Sequence, residues 1–179
     1  ATALGGALGA ARGLKRALWR AVEPSVDFLR AIPPLLVFPV LLLGLGYGDS
    51  ARVAAVVFGT TGTVLIHVAQ GLEHVPQERV DIVRLSGKGA LGALRVLYFW
   101  QALPSLVTGV RTALAQGLVI ATVTEMIVGA RSGLGVRALE AQLAYRADLL
   151  WVVILLAGTA GFLLSGAAVA IERRLVDWG

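Results

Sequence analysis

Apolar residues run through this chain in blocks about one bilayer thick, with polar residues gathered in the gaps. Leu149–Ile171 is an uncharged stretch of 23 residues, and Val53–Gly71 is another of 19 whose one titratable group is His67. Gln101–Ile127 is a third, interrupted by Arg111 near one end and Glu125 near the other. Roughly 20 apolar residues cross the hydrocarbon core as a helix, so each of the three is long enough to span. Ile32–Tyr47 is shorter and spans only with Leu29 or the Gly48 side drawn in. It opens on Ile32-Pro33-Pro34, where proline costs little because first-turn N–H groups have no helical partner. Ala1–Ala11 reads as the tail of a further helix, lacking the initiator Met and charged flank of a signal peptide. The expected fold is all-α, a polytopic helical membrane protein with about four complete spans plus a partial N-terminal one. Residues 1–179 are expected to form a single transmembrane domain that lacks its own N-terminal spans.

The gaps differ in character. Gly44-Leu45-Gly46-Tyr47-Gly48-Asp49-Ser50 is a tight turn between two antiparallel helices. Leu72–Arg95 is longer and has the content of a short helix. Pro76 suits a first turn, and Glu78 and Asp81 place negative charge near the positive end of the helix dipole. Val80, Ile82, Val83 and Leu85 supply an apolar surface, Arg79 and Arg84 lie on polar flanks, and Gly87 and Gly89 stop or bend the helix. A second amphipathic piece, Leu91–Trp100, is expected along the interface, with Tyr98, Phe99 and Trp100 at headgroup depth. Leu103-Pro104 is then expected to turn the chain into the next span.

Composition agrees with a membrane protein: 57% of residues are hydrophobic and the mean hydropathy is +0.79. Alternating spans put Arg12, Lys15, Arg16, Arg20, Arg30, Arg79, Arg84, Lys88, Arg95, Arg173 and Arg174 on one side. Arg52, Arg131, Arg137 and Arg146 fall on the other. This excess of positive charge makes the side that carries loop 72–95 and the C-terminus cytoplasmic, in a multi-pass protein. The net charge of +5 is then a matter of topology and lipid headgroups, and nucleic acid is excluded as a partner. With no cysteine, disulfides, thiolate metal sites and cysteine nucleophiles are excluded together. Gly87-Lys88-Gly89 is not a phosphate loop, because Ile82 stands where the leading glycine belongs. No catalytic set and no metal site are expected, and no cofactor is expected on this chain.

Pro104–Val128 is the candidate pathway wall. Gly109, Ala113, Gly117 and Ala121 recur every fourth residue, a small-residue stripe that lets another helix approach closely. Thr108, Thr112 and Gln116 form a neighbouring polar stripe, which faces a hydrated path or bonds across helices; spacing leaves both open. Arg111 and Glu125 lie about 21 Å apart along a helix axis and cannot pair. Either is a candidate gate or substrate contact, though Arg111 can snorkel and Glu125 can anchor the loop that follows. His67, without ligands at metal spacing, is read as a packed residue. Gly129–Asp148, with three arginines, either receives a binding protein or is simply solvated.

Asp81-Ile82-Val83, Gly87 four residues beyond Val83, and Leu103-Pro104 together resemble the EAA loop of ABC-importer permeases. Three further stretches are similar to the nitrate/sulfonate/taurine branch of that family. They are Asp27–Pro34, Thr108-Gly109-Val110-Arg111, and Glu125–Ala130 with Gly133-Leu134-Gly135. The resemblance implies the transmembrane domain of a type I ABC importer, in the inner (plasma) membrane of a bacterium. The EAA-like segment is 77–92, and its coupling helix, about Gln77–Gly87, would dock into a groove on a separate ATP-binding cassette ATPase. Glu78, Asp81, Ile82, Val83, Arg84 and Gly87 would make that coupling surface. Ile82 and Val83 stand where the family has two alanines and are bulkier and β-branched.

The resemblance further implies a second permease copy as a homodimer, an extracytoplasmic substrate-binding protein, and ATP and Mg held by the ATPase. Imported solutes of that branch are small anions such as nitrate, sulfonates or taurine. Two other classes stay open from the residues alone. A self-contained secondary transporter would show internal repeats or midplane acidic residues. A non-enzymatic membrane scaffold would need no ATPase.

Overall fold

The computed structural model describes residues 16–73, 99–127, 130 and 132–175. Among them are six helices and no strand: α1 (Arg16–Ala31), α2 (Pro34–Leu45), α3 (Asp49–Glu73), α4 (Phe99–Ile127), α5 (Leu134–Leu143) and α6 (Ala147–Leu175). Ala1–Ala11 and most of the Leu72–Arg95 loop, including Gln77–Gly87, lie outside the described residues.

Among the described residues, three apolar stretches are long enough to cross a bilayer: Asp49–Gly71, Ala102–Ile127 and Ala147–Ala170. They coincide to within a few residues with the runs Val53–Gly71, Gln101–Ile127 and Leu149–Ile171 read from the sequence. The other expected span takes a different form. α1 stops at Ala31, α2 starts at Pro34, and the segments Pro24–Ala31 and Pro34–Leu45 meet at 85°. Tandem prolines enforce the break, because Pro33 takes an extended conformation (φ −61°, ψ 125°) and neither ring nitrogen can donate. The broken pair still tracks α3 along its length. Val26 packs on Leu65 and Ala69, Arg30 lies over Gly62, Pro34 against Gly59, and Phe38 and Leu42 on Ala51 and Ala55. From Ala51 to Ala69 is about 27 Å of helix, close to the ~30 Å hydrocarbon thickness. The two pieces together therefore do the work of one span.

The sequence also places a turn at Leu103-Pro104; the structure instead carries helix through it. α4 is already helical at Phe99 and Pro104 lies inside it. Proline there removes one intrahelical bond near the helix end, where interfacial water can serve the freed carbonyl.

Packing centres on the antiparallel pair α3 and α4. Val64, Val68 and Ala113 form one buried cluster, with Ala102 and Leu106 against it. Ile120 joins Phe38, Leu42, Ala51 and Ala55 in another. α6 runs antiparallel to α4 on its other side, with Leu118 against Gly161. α5 is short and lies against the ends of α4 and α6, burying Gly135, Ala138 and Ala141. Its exposed face carries the Arg137–Glu140 ion pair at 2.9 Å.

Candidate functional site

The close approach of α3 and α4 is made by the small-residue stripe. A methyl at Gly109 would stand 2.8 Å from His67 Cβ, and one at Gly117 would stand 3.2 Å from Val56 Cγ1. Ala113 fits between these contacts, among Val64 and Val68. His67 is half-buried against this seam, as a packed residue. The stripe is thus a packing surface, and it fixes which other faces of α4 are free.

The neighbouring polar stripe divides. Gln116 turns toward α3 and accepts a hydrogen bond from Thr63 Oγ1 at 2.6 Å across the helix pair. Thr108 and Thr112 stay on the face that no described helix covers. Their hydroxyls donate back to their own helix, Thr108 to the Pro104 carbonyl at 3.1 Å and Thr112 to the Thr108 carbonyl at 3.0 Å. Back-bonding of this kind satisfies a hydroxyl without a partner helix. Val119, on the same face, is 63% exposed.

Arg111 and Glu125 go elsewhere. Arg111 turns to the groove between α4 and α6, beside Phe162 and Ser165. Glu125 Oε2 accepts the backbone N–H of Gly135 at 2.8 Å, so its carboxylate caps the N-terminal turn of α5. Gly133 makes this possible. Its φ of 148° belongs to glycine, and a Cβ there would collide with the Glu125 carboxylate. A Cβ on Gly135 would run into the Thr122 carbonyl oxygen. The five candidate pathway residues therefore do not converge: two line a free face, one crosses to α3, one meets α6 and one holds α5.

Glu125 also borders a cavity of about 770 Å³ at the end of the bundle that carries the α2–α3 turn. Tyr47, Asp49, Arg52 and Ser132 share its wall. Arg52 Nη1 lies 2.6 Å from Asp49 Oδ1, and the arginine side chain is only 17% exposed. This lining was missed in the sequence, where Asp49 reads as part of the turn and Arg52 as one of the positive charges on the side opposite loop 72–95. The one available signal was their spacing of three on a helix start.

The opposite end presents the loop. Antiparallel packing brings the end of α3 and the start of α4 together, with Gly71 touching Ser105, so the chain leaves for residues 74–98 and returns at one end of the bundle. Glu78, Asp81, Ile82, Val83, Arg84 and Gly87 all lie in that loop, outside the described residues.

Comparison with known proteins decides the family. The profile described as "Binding-protein-dependent transport system inner membrane component" matches residues 1–177. The chain belongs to that family. Among curated members, it is 30% identical over 158 residues to a probable ABC transporter permease protein of Brucella melitensis, covering 88% of this chain and 63% of the relative. It is 31% identical to a putative aliphatic sulfonates transport permease protein of Escherichia coli, over 89% of this chain and 60% of that one. A taurine transport system permease protein of Escherichia coli is 27% identical, over 88% of this chain and 57% of that protein. The chain thus spans about 60% of the length of the curated relatives it matches. Its fold is shared with a chain of the MetNI methionine ABC transporter, with a TM-score of 0.77 at 22% identity over 97% of this chain and 90% of that one. The sequence-based assignment to ABC-importer permeases, and the all-α membrane fold, hold.

Proposed function

We propose that this member of the binding-protein-dependent family is the membrane-spanning subunit of an ATP-driven importer for a small anion such as a sulfonate, taurine or nitrate. The observation that carries the reading is the geometry of the α3–α4 hairpin within a chain matched to the family over residues 1–177. Its rigid, glycine-packed seam ties the loop at 74–98 to both helices, so a pull on the loop moves them as a unit. In this reading the loop and the C-terminus are cytoplasmic, and Gln77–Gly87 is the coupling helix. Asp81 supports its N-terminus and Arg84 pairs with acidic groups of a separate ATPase, which alone holds ATP and Mg. Gly87 permits the bend.

Closure of two ATPases then rocks two permease copies between inward- and outward-facing states. The uncovered face of α4, with Thr108, Thr112 and Val119, lines the path between the copies. Gln116 supports that wall through Thr63. Glu125 shapes the outer mouth by holding α5, beside the Arg52-lined cavity where an anion released by a binding protein would arrive. Sulfonate and taurine permeases among the relatives favour this class of solute.

The test is co-purification of the full-length permease with the products of neighbouring genes, followed by assay of ATP hydrolysis. An ATPase retained with the permease and stimulated by a ligand-loaded binding protein is the expected result. A permease that purifies without any ATPase and transports in its absence would overturn the reading.

A further inference from the structure

Arg111 stands apart from the seam and from the polar face. It lies in a groove of about 380 Å³ between α4 and α6, whose other walls are Phe162, Ser165, Gly166, Val169 and Ala170. Among the described residues, no acidic side chain lines the groove and none forms an ion pair with Arg111. An unpaired cation within an apolar span is costly unless it reaches a partner outside the protein. Two geometric facts say where that partner is.

The first is depth. The apolar stretch of α4 runs from Ala102 for 26 residues, so its ends overhang a ~30 Å hydrocarbon core. Arg111 lies about 14 Å from Ala102 along the axis. Helical side chains tilt toward the N-terminus, which in α4 is the end bearing the loop. The guanidinium is therefore aimed at the nearer headgroup layer, within the reach of a snorkelling arginine. The second is the shape of the groove. It descends along α6 to Val169 and Ala170, the last turn of that helix's apolar stretch Ala147–Ala170. It also opens laterally beside Phe162, which is 77% exposed. At Gly166 an added Cβ would meet nothing within 4 Å, so the floor is clear.

We propose that this groove binds one phospholipid of the leaflet on the loop side, with Arg111 holding its phosphate and an acyl chain lying along Val169, Gly166 and Phe162 toward the membrane centre. A guanidinium binds a phosphate through charge-assisted hydrogen bonds, and the apolar wall two turns long is complementary to a hydrocarbon chain. Which leaflet supplies the lipid rests on the orientation proposed above, whereas the groove and its ligand chemistry do not.

The test uses the full-length permease co-purified with its partner subunits, washed in detergent and weighed by native mass spectrometry, with extracted lipids identified by headgroup. Wild type is expected to retain one phospholipid per permease copy. Arg111→Gln should lower its occupancy roughly ten-fold or more, the effect of one lost charge-assisted hydrogen bond. Gly166→Leu leaves Arg111 in place, fills the open floor, favours helix, and should displace the lipid equally. Retention of the ATPase by both variants shows that assembly is intact, so a loss of lipid is separable from a failure of the importer reading. Wild-type lipid occupancy in Gly166→Leu would overturn the proposal. So would release of the lipid by millimolar inorganic phosphate, which marks a free-anion site. Efficient cross-linking of Ser165→Cys to a second permease copy in membranes would also overturn it, by showing that protein fills the groove.

Discussion

Gly117 faces Val56 and Thr60 with no room for a side chain larger than methyl, and Gly109 meets His67 even more closely. Cores tolerate such insertions poorly, at about 1–3 kcal/mol each. Gly109→Val and Gly117→Leu are therefore expected to lower the thermal unfolding midpoint of the detergent-solubilised protein by several degrees, whereas Gly158→Leu, at open space on α6, should not. Glu125 makes a different kind of contribution. Its carboxylate supplies an acceptor that the first turn of α5 otherwise lacks. Glu125→Ala should cost about 1–2 kcal/mol, while Glu125→Gln, which keeps a carbonyl oxygen at the same place, should recover most of it. Equal destabilisation by both variants, measured by thermal melts, would show that the capping bond is not the operative contact. At this scale the sequence showed which residues are small or charged but not which way they turn. Thr108 and Gln116 are separated by two helical turns of the same stripe, yet only Gln116 meets α3. That assignment depends on the rotation of α4 against α3, which the pattern of one helix does not contain.

At the scale of elements, the long spans were legible because an uncharged run of bilayer length has few other uses. The broken span was not. Pro33-Pro34 marked a helix start, but that α1 continues the same path down α3 depends on Arg30 folding over Gly62 and Val26 reaching Leu65. Periodicity could not anticipate a contact between segments this far apart. The Pro104 turn failed for a related reason, since one lost hydrogen bond is a small penalty beside the packing of a helix held along its length by α3. The loop between α3 and α4 is where coupling is expected, and Ile82 and Val83 are its apolar centre. Interface energy concentrates in a few buried contacts. Val83→Asp should therefore reduce co-purifying ATPase by an order of magnitude or more, whereas Lys88→Ala at its edge should leave it nearly unchanged. Equal retention in both would place the coupling surface elsewhere.

For the molecule as a whole, membership of the binding-protein-dependent family fits the assembly with other subunits proposed above. α4 keeps a face with Thr108, Thr112 and Val119 that no described helix covers, while α6 exposes Trp151, Leu155 and Phe162 in the manner of a lipid-facing helix. In the proposed assembly the threonine face meets a second permease copy and the face of large apolar residues meets lipid. Thr112→Cys is accordingly expected to form a disulfide-linked permease dimer in membranes under oxidant, and Leu155→Cys is not. Sequence alone reached the class of machine because the loop, the spans and their order resemble one family. It did not reach the arrangement of the path, which in the proposed assembly lies between two copies. The most direct test of that machine is ATP hydrolysis by the co-purified permease–ATPase complex in lipid nanodiscs, with and without its binding protein loaded with a sulfonate or other small anion. A rate that rises several-fold with the loaded binding protein, and loses that rise in Val83→Asp, is the outcome expected of an importer coupled through this loop. A rate indifferent to both the binding protein and the loop substitution would contradict that coupling.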